Sequence, residues 1–564
     1  MANFDELTAL IREQEVGRGT TLLTPFGPRV LFYADLTATG RFVHFVEDWL
    51  SQVRPYYANT HTAISSTGRL MSGLREQARS VVRRAVGAGP DDVVMFVGSG
   101  ATAAINKLVG LLGIRIPEPL EREYHLSSHI PEARRPVIFV GPYEHHSNQL
   151  PWVESMATVV EIDLDEKGCI SVADLEQKLE AHRDRPLKLG AFSAASNVTG
   201  LLTDVPRIAR ALHRGGAYAV FDYAASAPYV PIDMHPNDPD ERIDALFVSP
   251  HKFIGGPNAS GVLVANRALF RGRCPERPGG GTVDYVGGLG RANIDYVARL
   301  DEREEGGTPS IIGDLRAGVA FLLKEMLDPG VIAEHEIALA SKAIERLSRN
   351  PRIHLYGPTS EPRLPILSLN IEGLHHDFVS TLLDHLFGIQ NRAGCSCAGP
   401  YGHKLLGIDA ARSELYRAQI ARGILGIKPG WVRVSLPYYG SAAEIDFVLS
   451  AIELVADHGE AFLPLYRLGF RDGIWTHLTN PMRDAPPIEL TAKALGEAAE
   501  RHTGPPPRPP HQPNLDAERA GYLEEARRLA ADLEAKSPKP RWQEGIGDAE
   551  IDRLIWFRFA HGSL

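Results

Sequence analysis

The chain has 564 residues, 44% hydrophobic and 23% charged, with 60 Lys and Arg against 70 Asp and Glu and a net charge of −10. That is the balance of a folded protein large enough for more than one domain, and its acidic excess argues against a surface built to neutralise nucleic-acid phosphates. With no apolar run of transmembrane length, no apolar signal core in the opening MANFDELTALIREQE and only four cysteines, it reads as a cytoplasmic protein of a reducing compartment.

After an N-terminal segment over 1–30, short apolar runs alternate with helical spacing from about 93 to 265. Strands are predicted at VVMFVG from Val93, VIFV from Val137, TVVEID from Thr158, LKLGAF from Leu187, AYAVFDY from Ala217, ALFVS from Ala245 and GVLVA from Gly261. Between two of them DVPRIARALHR offers Asp204 as a cap, with Val205, Ile208 and Leu212 at helical spacing. Strands covered on both faces read as unbroken apolar runs. The prediction over 31–324 is therefore a large α/β domain, a mostly parallel sheet flanked by helices. Over 325–460 a smaller α+β domain is predicted, with strands at LPILSLNI and WVRVSL. Over 461–564 follows a C-terminal extension with a Pro-rich linker, GPPPRPPHQP from Gly504, and one helix, LDAERAGYLEEARRLAADLEAK.

Ligands of such sheets bind beyond the carboxyl ends of the strands, so polar residues there are the candidates for chemistry. In FVSPHKFIGGP a strand runs out into Ser249, His251 and Lys252. A partly desolvated lysine amine forms an imine with an aldehyde cofactor, and the serine and histidine suit a phosphate. An isolated His-Lys pair would be an ordinary surface turn. Asp222 ends another strand, where a buried carboxylate can hold a pyridine nitrogen protonated. GSGATAAINKL puts Ala101 and Thr102 at a helix start that suits a phosphate. His145, in GPYEHHSNQLPW, can stack on a planar ring, and Asn197, in FSAASNVTG, can donate to a phenolic oxygen or serve as a plain turn residue.

The ordered set EHHSNQLPW, SNVTG, FDYA, SPHK and GGP resembles the class V aminotransferase family of fold-type I pyridoxal-phosphate (PLP) enzymes. Within that family it is similar to the cysteine desulfurase and selenocysteine lyase group, over about residues 30–455. The resemblance implies Lys252 as the Schiff-base lysine, Asp222 on the pyridine nitrogen and His145 on the ring. It implies Ala101, Thr102, Ser249 and His251 at the phosphate, and a homodimer with a shared site in which EEGGTP brings Thr308 to the partner's phosphate. QNRAGCSCAGP resembles the segment carrying the group's nucleophilic cysteine, here Cys397, with Arg392 before it as a substrate-binding residue. WVRVSLPYY resembles the segment whose arginine, here Arg433, grips the substrate carboxylate. The implied reaction takes sulfur from L-cysteine, or a related amino acid, as a Cys397 persulfide that an acceptor protein or small thiol then collects.

Other class V reactions (transamination, epimerisation, β-elimination) and a non-catalytic scaffold are the alternatives. Ala225 stands where the family usually has glutamine, and the stretch near 113–135 and the tail past 460 have no counterpart in simple desulfurases. Cys395, two residues before Cys397, is placed for a protective or relay disulfide. C-x-C with His403 would be half a metal site, but it lacks the paired C-x-x-C spacing, so no metal is expected.

Overall fold

The structure is a computed structural model that describes residues 3–62, 64–479, 491–493, 514–536 and 542–563. The Pro-rich stretch from Gly504 lies outside the described residues. All seven runs expected to be strands are strands: β1 (Asp92–Val97), β2 (Val137–Val140), β3 (Thr158–Glu161), β4 (Lys188–Ser193), β5 (Tyr218–Asp222), β6 (Ala245–Val248) and β7 (Gly261–Asn266). They form one sheet in the order β1-β7-β6-β5-β4-β2-β3. Neighbours from β6 through β3 are parallel, and β7 runs antiparallel to both β6 and β1.

Successive strand residues point to opposite faces, and both faces are covered. Phe192, Phe221, Leu246 and Val262 enter one apolar core, while their neighbours Ala191, Val220, Phe247 and Leu263 enter another. Each large side chain so buried stabilises the fold by about 1.5–3 kcal/mol. Alternating polar residues would forfeit one face, which is why the interiors of the central runs are apolar. Flanking helices include α1 (Gly100–Leu111), α2 (His146–Val153) and α3 (Val205–Arg214), the last capped by Asp204 accepting from Arg207 N.

A second, antiparallel sheet has the order β8-β9-β11-β10, from β8 (Ile353–Leu355), β9 (Ile366–Ile371), β10 (Arg392–Gly394) and β11 (Trp431–Ser435). It packs with α4 (His376–Phe387), shares a core with α6 (Ala442–His458), and sets Trp431 beside Gly402 of α5 (Gly399–Leu406). The tail shares this core. β12 (Tyr466–Gly469) lies between β13 (Trp475–His477) and β14 (His561–Ser563), and α7 (Leu515–Lys536) buries Leu523, Ala526 and Ala530 among residues of α4 and α6. Phe32 and Ala34 join the same core, because Phe32–Tyr33 pairs with Ile389–Gln390.

Candidate active site

Four strand ends and the β10–α5 turn converge on one cavity of about 180 Å³. Ser193 ends β4 and Asp222 ends β5, directly opposite each other in register. β6 runs out into Ser249, and a single turn of 3-10 helix, Pro250–Lys252, turns Lys252 into the cavity. Gly256 is required just beyond it, because a Cβ there would lie 1.9 Å from the Pro250 carbonyl oxygen.

Beyond β1 the chain enters α1 through Gly100 at φ +56, where a side chain would meet His251 and the Ser249 hydroxyl at 2.7 Å. That close approach lets Ala101 N donate to Ser249 Oγ at 2.9 Å, while the Thr102 and Ser147 hydroxyls lie 2.7 Å apart. His145 caps α2, its Nδ1 accepting from Ser147 N at 3.1 Å, and also lines the cavity. Of the expected residues, Lys252, Asp222, His145, Asn197, Ala101, Thr102, Ser249, His251, Arg392, Arg433 and Cys397 all line it. Thr308 does not; it is exposed, with its Oγ accepting from Asn59 Nδ2 at 3.2 Å.

Three assignments look different in place. Arg433 is almost fully buried and already committed, with Nη2 on Asp35 Oδ1 at 2.7 Å and Nη1 on the Asn197 carbonyl at 3.0 Å. The Arg392 side chain is exposed at the cavity wall and makes no hydrogen bond or ion pair among the described residues. Asn197 gives an Nδ2 proton to the Ser396 carbonyl at 2.8 Å, and its Oδ1 is buried without a partner. Ala225 lines the wall.

Electrostatics follow from enclosure. Burial strips water from the Lys252 ammonium and pulls its pKa from 10.5 down to about 8, although the Asp222 carboxylate opposes the shift. Burial likewise raises Asp222, against a hydrogen bond from Ala224 N and the charge of Lys252. His145 falls to about 3 and His251 to about 4, both chiefly through burial and then through Lys252, so both rings are neutral at pH 7.

Sequence reasoning passed over Asp35 and Glu144. Asp35 follows the two-residue strand Phe32–Tyr33, so the same strand-end rule would have found it had that strand been legible. Glu144 lies inside EHHSN and accepts from Asn148 Nδ2 at 2.6 Å and from Ser193 N and Oγ at 2.9 and 2.6 Å. It thereby ties the His145 loop to the end of β4.

Elsewhere His375, His376 and Asp377 offer ligand atoms within 4.8 Å of one another. The two imidazoles are stacked 4.2 Å apart at 27°, so their in-plane lone pairs do not converge on a cation. Among the described residues Cys395, Cys397 and His403 form no such group.

The Aminotransferase class-V family profile matches residues 32–448. A Halalkalibacterium halodurans protein named "Probable cysteine desulfurase" is 31% identical over 391 residues, covering 68% of this chain and 88% of that protein. A Staphylococcus aureus protein of the same name is 29% identical over 395 residues, covering 68% and 87%. Among solved structures, the apo cysteine desulfurase of Thermococcus onnurineus NA1 has a TM-score of 0.61 at 26% identity, over 76% of this chain and 95% of its own. The Escherichia coli cysteine desulfurase CsdA, in its S-sulfonic acid form, has a TM-score of 0.60 at 22% identity over 80% and 98%, a likeness of fold alone.

Proposed function

We propose, from the premise that this chain belongs to the class V aminotransferase family, that it is a cysteine desulfurase-like lyase taking sulfur from L-cysteine, or a close relative, onto Cys397. The observation that carries the reading is the meeting of Lys252, Asp222, two arginines and the Cys397 thiol on one small cavity.

The family is PLP-dependent, and the residues present fit that cofactor by their own chemistry. Lys252 has an amine with a pKa of about 8, poised to hold the aldehyde, and Asp222 is a buried carboxylate able to face a ring nitrogen. The neutral ring of His145 suits stacking, and Ala101, Thr102, Ser249 and His251 gather where a phosphate would lie. Asn197 Oδ1 is a buried polar atom awaiting a partner. When bound, PLP supplies the electron sink that makes the substrate α-carbon acidic.

Lys252 is the base that takes the α-proton, since a pKa lowered to about 8 frees roughly a tenth of its amine at pH 7 and about half at pH 8, far more than an ordinary lysine. Arg392 is the unpaired guanidinium for the substrate carboxylate, and Arg433, held by Asp35, supports it from the buried side. The Cys397 thiolate attacks the substrate sulfur as the Cβ–S bond breaks. The bonding pair stays with Cβ, which is protonated to the methyl group of alanine, and the sulfur remains on Cys397 as a persulfide.

We read the protein further as a cytoplasmic homodimer handing its sulfur to an acceptor protein or small thiol. Support comes from the exposed Thr308 segment and from the exposed side chains of Tyr285, Val286 and Leu289, which leave apolar surface for a second copy. The test is purified protein with PLP against a panel of amino acids, with alanine, sulfide and keto acids measured separately. Alanine from L-cysteine is expected, abolished in Cys397→Ala while the bound-cofactor absorbance is kept. Keto acid or racemised substrate in place of alanine would assign another class V reaction.

A further inference from the structure

The segment after β10 holds two cysteines, of which the proposed reaction uses one. Gly394 leaves the strand at φ +106, and the chain closes a tight turn in which Ala398 N donates to the Cys395 carbonyl at 3.1 Å. Both central residues are left-handed, Ser396 at φ +51 and Cys397 at φ +57, which is the pattern of a type I′ turn. Neither is glycine, so the conformation persists only because its surroundings enforce it. Asn197 Nδ2 binds the Ser396 carbonyl at 2.8 Å and His146 N binds the Cys397 carbonyl at 2.8 Å. His146 Nε2 in turn accepts from Gly399 N at 3.0 Å, clamping the turn to α2.

This clamp fixes the cysteines one residue apart on a bent chain. Two residue steps span at most about 7 Å even when extended, which a turn shortens, so the two Cα atoms fall within the range a disulfide bridges. Cys397 lines the cavity, whereas Cys395 is half-buried and rests beside the core of the large sheet. The Cα spacing thus permits a Cys395–Cys397 bridge once the two side chains rotate toward each other. An outside acceptor must instead enter a cavity of about 180 Å³.

We propose that Cys395 is a resolving thiol that discharges the Cys397 persulfide as sulfide, in place of direct transfer from Cys397 to an outside acceptor. The proposal rests on the desulfurase reading. The Cys395 thiolate attacks Cys397 Sγ, forming the Cys395–Cys397 disulfide. The persulfide S–S bond breaks, its electron pair leaves with the outer sulfur as hydrosulfide, and the thiol proton goes to that sulfur or to water. Per turnover, L-cysteine and two enzyme thiols become alanine, sulfide and one disulfide. A dithiol reductant then restores both thiols.

The experiment is a single turnover of PLP-loaded protein with L-cysteine and no reductant. Alanine and sulfide are quantified, and the tryptic peptide 393–404, which carries both cysteines, is weighed. In wild type the peptide is expected to lose two hydrogens as one sulfide appears per alanine. In Cys395→Ser, and equally in Cys395→Ala, alanine still forms, the peptide is heavier by one sulfur, and sulfide appears only after a thiol is added. A wild-type peptide that keeps the extra sulfur, or a Cys395 variant that releases sulfide like wild type, would overturn the resolving role and leave the desulfurase reading intact. Alanine formed undiminished by Cys397→Ser, or no alanine from wild type, would overturn the desulfurase reading and this proposal with it.

Discussion

Lys252 at about 8 rather than 10.5 reflects an ammonium withdrawn from water, with Asp222 only partly compensating. The folded chain consequently binds fewer protons than the unfolded chain between those values, so this group's contribution to stability grows as pH rises from about 8 toward 10.5. The same shift governs cofactor uptake, which needs the free amine. Mixing apoprotein with PLP and following bound-cofactor absorbance is expected to show a rate rising about fivefold from pH 7 to 8, then less than about twofold from 8 to 9. Asp35 offers a second check, because its charge helps to hold the Lys252 proton. Asp35→Asn should move the midpoint of that profile to lower pH. A midpoint unmoved or raised would show that Asp35 does not act on Lys252. It should also loosen Arg433, seen as an altered KM for the amino acid. This ion pair joins residues 398 positions apart, which no local pattern displays. The strand-end residues Lys252, Asp222 and Ser249 were legible because each follows an apolar run that can only be a covered strand.

Elements were legible where their pattern answers to burial and obscure where they exist only through a partner. The runs of the large sheet are of the first kind. β14, His-Gly-Ser, is of the second: it carries no strand signal and is extended because β12 pairs with it in parallel. α6 shows both kinds at once. Its start is written as Ser441-x-x-Glu444, and the reciprocal capping box forms. What the sequence could not display is that Glu444 also meets Arg18 at 2.7 Å and the buried Arg519 of α7 at 2.9 Å. Burial alone would raise the Glu444 pKa, but the two arginines outweigh it and hold the carboxyl below 4.5. Its stabilisation is thus complete above pH 4.5 and is lost as pH falls through the lower folded value. Glu444→Ala strands a buried guanidinium and removes half of a cap. Urea unfolding is expected to show a loss of about 3–5 kcal/mol, shrinking in acid as the native carboxyl protonates.

At the scale of the molecule, the described residues past 448, beyond the family match, are built into the fold. α7 reaches back to the start of the chain, where Tyr522 Oη accepts from Val30 N at 3.2 Å and Glu525 pairs with Arg29 at 2.9 Å. Arg519 lies 5.4 Å over the Phe32 ring. Three residues beyond Phe32 stands Asp35, the partner of Arg433, so the tail braces the strand that feeds the site. Composition announced an appendage, because a Pro-rich stretch followed by a charged helix looks like a linker and a docking arm. The decisive apolar residues, Ile551, Leu554, Phe557 and Phe559, are scattered through a segment with no periodicity, yet all are buried. With Leu523 they stabilise the fold by about 1.5–3 kcal/mol each, on the order of 10 kcal/mol together, comparable to the roughly 5–15 kcal/mol that holds a whole domain folded. A chain ending at residue 478 is therefore expected to be insoluble or unfolded rather than merely slow. Solubility and the denaturant midpoint read this directly: a truncated chain with the full-length midpoint would make the tail a separable arm, whereas its collapse would make the tail part of what holds Asp35 against Arg433.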